Sequence, residues 1–254
     1  GILANQRYPY EFFLENILIQ TNIISAAVNT GVQKLLFLGS SCIYPREAKN
    51  PIREESLMGG RLEQTNQSYA VAKIAGIEML RAIEDQYGEA CLDCRCIMPC
   101  NLFGPNDNYN EESSHVLPGL LKRFHRAKVR GEKSVEVWGT GVPKREFMSS
   151  ADFASAAEHI MNLDKERYRR ILNGVSHINV GVGVDISISD LAHRIASCVG
   201  FDGDIVFDIS KPDGTPAKLL DITRLKSSGW NASSDFTSSL EKTYNAFLES
   251  AYAE

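Results

Sequence analysis

Apolar positions along the chain follow two periods, and segments of each kind alternate. Leu35-Leu36-Phe37-Leu38, closed by Gly39, is a continuous apolar run of strand length. That pattern predicts a strand buried on both faces of a parallel sheet. Ahead of it, between Pro9 and Asn29, Phe12, Phe13, Ile17, Leu18, Ile24 and Val28 recur at helical spacing. They occupy more than one face, so this helix is expected to be buried or to form a subunit contact. Behind the strand, Ile74, Ile77, Leu80 and Ile83 line one face of a helix expected from Tyr69 to about Tyr87. Arg95 to Pro99 reads as the next parallel strand, Asn101 to Pro105 as a loop, and Val116 to Arg130 as a helix. Val135–Trp138 and Arg145–Met148 read as strands of a hairpin around a glycine turn. Asp152 is expected to N-cap a helix running through Met161. His177–Val180 reads as a strand, and Ser187 with Asp190 forms a capping box ahead of Leu191, Ile195 and Val199. Phe236, Leu240, Tyr244 and Phe247 mark a closing amphipathic helix. Strands alternating with helices predict an α/β fold around a parallel sheet. No internal repeat, low-complexity segment or long linker interrupts it.

A chain of 254 residues can bury a full core as one large domain or one and a half. Net charge −5 and a pI near 5.6 argue against nucleic acid as the main partner. No apolar run approaches the ~18 residues of a membrane span, and the first residues carry no signal-peptide pattern. The expectation is a cytoplasmic chain without a membrane partner. The sequons Asn66-Gln67-Ser68 and Asn231-Ala232-Ser233 then read as chance matches. Cys91, Cys94, Cys96 and Cys100 crowd together, but a zinc site normally pairs two separated half-sites, and no histidine lies near. Cysteine here reads as a small hydrophobe entering a strand, with free thiols and no metal.

Candidate chemistry gathers between Lys34 and Lys73. Ser40, Ser41 and Cys42 follow the first strand, at the end where open α/β sheets collect ligands. Tyr69 and Lys73 are one helical turn apart and share a face. A phenol is a reluctant acid at neutrality; a neighbouring ammonium is expected to lower its pKa and fit it for proton exchange with a ketone oxygen. Ser40 or Ser41 is placed to hydrogen-bond that same oxygen. Cys42, two residues past Ser40, is either a base able to take a proton beside a ketone or an inert buried thiol. His115, just before Val116-Leu117-Pro118, is either a general acid or a satisfied structural histidine. Lys122, Arg123, Arg126, Lys128, Arg130 and Lys133 form a basic run, mostly a solvated helix face. Trp138 and Arg145 read either as a stacking surface and a charge or as core packing and an ion pair. Asp213 reads first as a turn residue.

The stretches LLFLGSSCIYP, LEQTNQSYAVAKIAG, SSHVLPGLLKRFH, VWGTGVPKREF and SKPDGTPAKLLD resemble the GDP-L-fucose synthase family of extended short-chain dehydrogenase/reductases, across nearly the whole chain. The resemblance implies an NADPH-dependent epimerase/reductase that converts GDP-4-keto-6-deoxy-D-mannose to GDP-L-fucose. It implies Cys42 as base and His115 as acid for C3/C5 epimerisation, then reduction at C4 with Tyr69 as proton donor, Lys73 on the nicotinamide ribose and Ser40 on the carbonyl. It places Leu38, Gly39, Ser40, Ser41, Tyr69, Lys73, Pro99, Cys100, Asn101, Leu102 and His115 around NADPH. Arg123, Trp138, Arg145 and Asp213 are implied substrate contacts, expected to converge on one cleft facing Tyr69. A homodimer through the 9–29 and 69–87 helices is implied as well.

The implied architecture is a Rossmann-like parallel sheet lacking its first strands, with a smaller α/β substrate-binding domain. Residues 1–103 and 146–180 are assigned to the NADP-binding part, 104–145 and 181–254 to the sugar-nucleotide part. No glycine fingerprint precedes Leu35, and Gly1 to Asn5 reads like the middle of a longer pattern. Leu35–Leu38 is therefore expected to be an edge strand, and the chain to bind NADPH poorly and turn over little. At Met148–Asp152 relatives usually carry a histidine and two acids. The alternatives are a nucleotide-sugar 4-epimerase or 4,6-dehydratase, against which Cys42 with His115 argues, and a non-catalytic sugar-nucleotide-binding fragment.

Overall fold

The computed structural model describes residues 2–88, 91–110, 113–211 and 213–253. A short helix α1 (Ile2–Arg7) leads into α2 (Pro9–Asn29), whose proline occupies the first turn, where a missing N–H costs nothing. Strand β1 (Lys34–Leu38) follows, then a long loop with 3₁₀ turns, then α3 (Gln67–Tyr87). Next come β2 (Asp93–Pro99), β3 (Asn101–Phe103), α4 (Val116–Arg130), β4 (Ser134–Trp138) and β5 (Lys144–Ser149). Then α5 (Ser150–Asn162), α6 (Lys165–Leu172), β6 (Ile178–Val180), β7 (Asp185–Ser187) and α7 (Ile188–Val199) lead to β8 (Asp204–Asp208), β9 (Ala217–Lys218), α8 (Thr223–Ser227) and α9 (Phe236–Leu248).

Three parallel strands in the order β1-β2-β6 make the first sheet. Among the described residues β1 pairs only with β2, so it is an edge, as expected. The reading of β1 as buried on both faces is corrected: Phe37 is buried, but Leu35 and Leu36 are half-buried and Leu38 is 44% exposed. With one side unpaired, the apolar run has neighbours enough to cover only part of it.

The second half is built around β5, which pairs with β3 and β9 in parallel and β7 antiparallel. Two expectations fall here. Asn101–Phe103 is a strand, not a loop, because β5 supplies its partner. Val135–Trp138 and Arg145–Met148 do not form a hairpin: β4 pairs in parallel with β8, and the glycine turn carries the chain from one sheet to another. The cap of α5 also shifts. Ser149 is the N-cap, its hydroxyl accepting from Asp152 N at 3.1 Å, while Asp152 accepts the Ser149 hydroxyl at 2.9 Å. The capping box at Ser187 and Asp190 forms as expected.

Two apolar cores result. One gathers Ile24, Phe37, Ile77, Ile97, Ile160 and Ile178, and takes in Leu220, Leu225 and Trp230 from late in the chain. The other gathers Phe103, Leu121, Phe124, Leu191, Ile195, Leu240 and Phe247. The cysteines are free thiols, and no cluster of metal-ligating side chains occurs among the described residues. Cys96 is buried, and Cys94 and Cys96 have their thiols pushed far up by burial, to about 12 for Cys94.

Candidate active site

β1 ends at Leu38, and Gly39 N still reaches Ile97 O of β2 at 2.9 Å. Ser40 then leaves the sheet as the N-cap of a 3₁₀ turn over Ser41–Ile43, its Oγ accepting from Cys42 N at 3.2 Å. Cys42 thus sits on a turn beyond the strand, half-buried. Leu38 stands opposite Ile97 in the parallel register, and Gly39 lies against Met98, just ahead of Pro99. Both strands therefore deliver their C-terminal ends to one place, as parallel sheets do.

α3 brings Tyr69 and Lys73 to this end. Phe12 of α2 packs edge-on against the Tyr69 ring at 6.3 Å. Lys73 Nζ lies 5.9 Å from the Tyr69 ring centroid and donates to Leu38 O at 3.2 Å. The expected lowering of the phenol's pKa does not occur. Burial pushes Tyr69 up, a negative charge at Cys42 pushes the same way, and only the Ser40 hydrogen bond opposes. Burial also lowers Lys73. A phenol kept protonated suits donation to a developing alkoxide. His115 caps the start of α4 without a side-chain cap bond; burial lowers its pKa and Asp107 opposes.

The substrate candidates form contacts among themselves and with the 213–215 turn: Arg145 donates to Thr215 O at 2.6 Å. Arg145 lies close enough to Cys42 and to Asp213 for both charges to bear on it. Asp213 accepts from Thr140 N at 2.9 Å and Thr140 Oγ1 at 2.7 Å, pinning the turn after Trp138. Trp138 is 49% exposed, with the Arg123 guanidinium 5.7 Å and Lys211 Nζ 5.6 Å from its ring. Arg123 also donates to Glu136 O at 2.6 Å. Asp213 therefore stands between Arg145, on which its charge acts, and the Trp138 turn, which it pins. The Asp107 charge lies close enough to His115 to act on its imidazole.

A model of the NAD dependent epimerase/dehydratase family matches residues 1–181. This chain belongs to that family. It is 50% identical to GDP-L-fucose synthase of Escherichia coli (strain K12) over 98% of this chain and 77% of that one. It is 47% identical to GDP-L-fucose synthase 1 of Arabidopsis thaliana over 98% and 74%. Among solved structures, a GDP-mannoheptose C4 reductase from Campylobacter jejuni with NADP bound superposes with a TM-score of 0.86 at 36% identity, covering 96% of this chain and 77% of that one.

Epimerase/dehydratase members use a nicotinamide cofactor, and the donor set here fits one. A lysine ammonium has three N–H donors, and Lys73 spends one on Leu38 O, leaving donors for a vicinal diol such as a ribose. Sequence reasoning missed several residues that support the site. Lys218 stands opposite Arg145 in the β5–β9 register, adding a second cation. Lys211 flanks Trp138. Tyr44, His177, Asn179 and Glu146 are buried polar groups behind the site. Lys218 and Glu146 lie inside quoted motifs, but nothing in sequence spacing joins them to Arg145.

Proposed function

We propose that this chain is an NADPH-dependent epimerase/reductase converting GDP-4-keto-6-deoxy-D-mannose to GDP-L-fucose. The observation that carries the reading is that Ser40 Oγ accepts from Cys42 N and also bonds the Tyr69 hydroxyl, with the charges of Cys42 and Tyr69 close enough to act on each other. Arg145, Lys218 and Arg123 hold the diphosphate, a task suited to paired guanidinium and ammonium donors. Trp138 offers its open face to the nucleotide or sugar. Lys73 and the ends of β1 and β2 hold the cofactor, which supplies hydride to C4 when bound.

Cys42 takes the proton from carbon beside the ketone, and His115 returns one from the other side, inverting C3 and C5. Ser40 holds the carbonyl oxygen in place. Tyr69 gives its proton to that oxygen as charge develops, which its raised pKa allows at neutral pH. A 4-epimerase or 4,6-dehydratase has less use for a thiol at position 42. Apolar side chains left open on α2, namely Tyr10, Phe13, Leu18, Ile19 and Ile23, support a homodimer through α2 and α3. No helix among the described residues is long and apolar enough to cross a membrane, and we place the protein in the cytoplasm.

Heavy-water exchange tests the division of labour. Tyr69→Phe should abolish reduction yet still incorporate deuterium beside the ketone, since Cys42 and His115 remain. Cys42→Ala should lose incorporation while keeping NADPH binding. A folded Tyr69→Phe protein without incorporation refutes the assignment.

A further inference from the structure

Successive residues of a strand point to opposite faces, so Arg145 and Glu146 on β5 serve different sides. The Glu146 side chain has no solvent exposure. Its Oε1 accepts from Val182 N at 2.7 Å and Gly183 N at 2.6 Å, and its Oε2 accepts from Leu220 N at 3.1 Å. Two of these donors follow β6, the last strand of the first sheet. The third lies two residues past Lys218, the register partner of Arg145. The main-chain oxygen of Glu146 accepts from Asn101 Nδ2 at 2.9 Å, in the segment placed beside the cofactor. A Cβ at Gly181 would overlap the Glu146 carboxylate, so glycine there lets the chain close around it. Burial raises the Glu146 pKa and the three N–H bonds oppose it.

We propose that Glu146 is a positioning residue: its carboxylate ties the loop after β6 to the segment 217–220, and so fixes Arg145 and Lys218 together as one diphosphate clamp. A carboxylate is suited because three N–H donors converge on it and the ionised group offers only acceptors. A glutamine keeps the shape but turns an N–H toward one of those donors. The inference rests on the GDP-sugar reading for its ligand, and GDP itself is the probe.

Calorimetric titration of GDP and of NADPH against Glu146→Gln tests it. GDP affinity should fall about tenfold, the effect of about 1.4 kcal/mol expected for a lost charge-assisted bond, while NADPH affinity stays within about twofold. In an Arg145→Ala, Lys218→Ala background, Glu146→Gln should cost less than about twofold further, because the clamp it positions is gone. Glu146→Asp, which keeps the charge but shortens the reach, should weaken GDP binding in the same selective way and serves if the glutamine variant does not fold. Unchanged GDP affinity, an equal loss for both ligands, or the same loss in both backgrounds overturns the positioning role. Failure of the unsubstituted protein to bind GDP overturns the proposed function with it.

Discussion

His177 is buried completely, and its hydrogen bonds place a proton on Nε2. The Tyr44 hydroxyl donates to Asn179 Oδ1 at 2.5 Å, so the same oxygen must accept from His177 Nε2, 2.6 Å away. The opposite nitrogen, Nδ1, then accepts from the Ser176 hydroxyl at 2.9 Å. Neutral imidazole satisfies every partner; a cation would have its second N–H accepted by the Ser176 hydroxyl after rotation, so it is burial that makes the cation costly. Burial, with the nearby Arg224 charge, depresses the His177 pKa to about 4, against Glu55. A depressed histidine pKa means the fold prefers the neutral form. Its contribution is present above the unfolded value of 6.5 and is lost as pH falls toward 4. The full gap is worth roughly 3 kcal/mol, of which about 2 kcal/mol disappears between pH 7 and pH 4.5. His177→Gln keeps a donor for Tyr44 and does not titrate. Urea unfolding at the two pH values should show a loss about 2 kcal/mol smaller in this variant than in the unsubstituted protein. Equal losses in both, or a native His177 ring that titrates near 6.5 by NMR, would refute the reasoning. Tyr44 stands two residues past Cys42, so the same acid range should loosen the turn that carries the thiol.

Other perturbations read other parts of the fold. Gly76→Ala puts a methyl group against the Phe37 ring and Gln20 Oε1, where α3 meets β1 and α2, and should cost about 1–3 kcal/mol in urea unfolding. Arg95 is buried against Asp93 at 2.9 Å, Ile160 O and the Tyr168 ring; Arg95→Ala strands a carboxylate and a carbonyl and should cost roughly 3 kcal/mol. Trp138→Ala removes the stacking face and should weaken GDP binding by about 1–3 kcal/mol by calorimetry, with NADPH binding unchanged. Leu18→Glu, on the open face of α2 where Leu18 is half-exposed, should shift the sedimentation of the protein from dimer to monomer without lowering its unfolding midpoint; a monomeric unsubstituted protein would contradict the proposed interface.

Local pattern determined much of this molecule. The helices Pro9–Asn29 and Val116–Arg130 have the bounds that their apolar spacing, first-turn proline and closing glycine predict, because a helix satisfies its hydrogen bonds within its own segment. The capping box at Ser187 is legible for the same reason. Tyr69 with Lys73 and the Ser40–Cys42 stretch were visible as residue types at meaningful spacing. What sequence spacing cannot carry is the choice of partners across the chain. Asn101–Phe103 became a strand only because β5 came alongside, and the segments around Trp138 and Arg145 paired with distant strands instead of each other. Lys218 joined Arg145, and Glu146 gathered Val182, Gly183 and Leu220, through contacts spanning 36 to 74 residues. The Tyr69 pKa also reversed its expected direction, because desolvation depends on what the fold packs around a phenol, and neither spacing nor residue type reports that. Side-chain identity sets which chemistry is possible; burial and register, which exist only in the folded chain, decide which groups meet and in what protonation state.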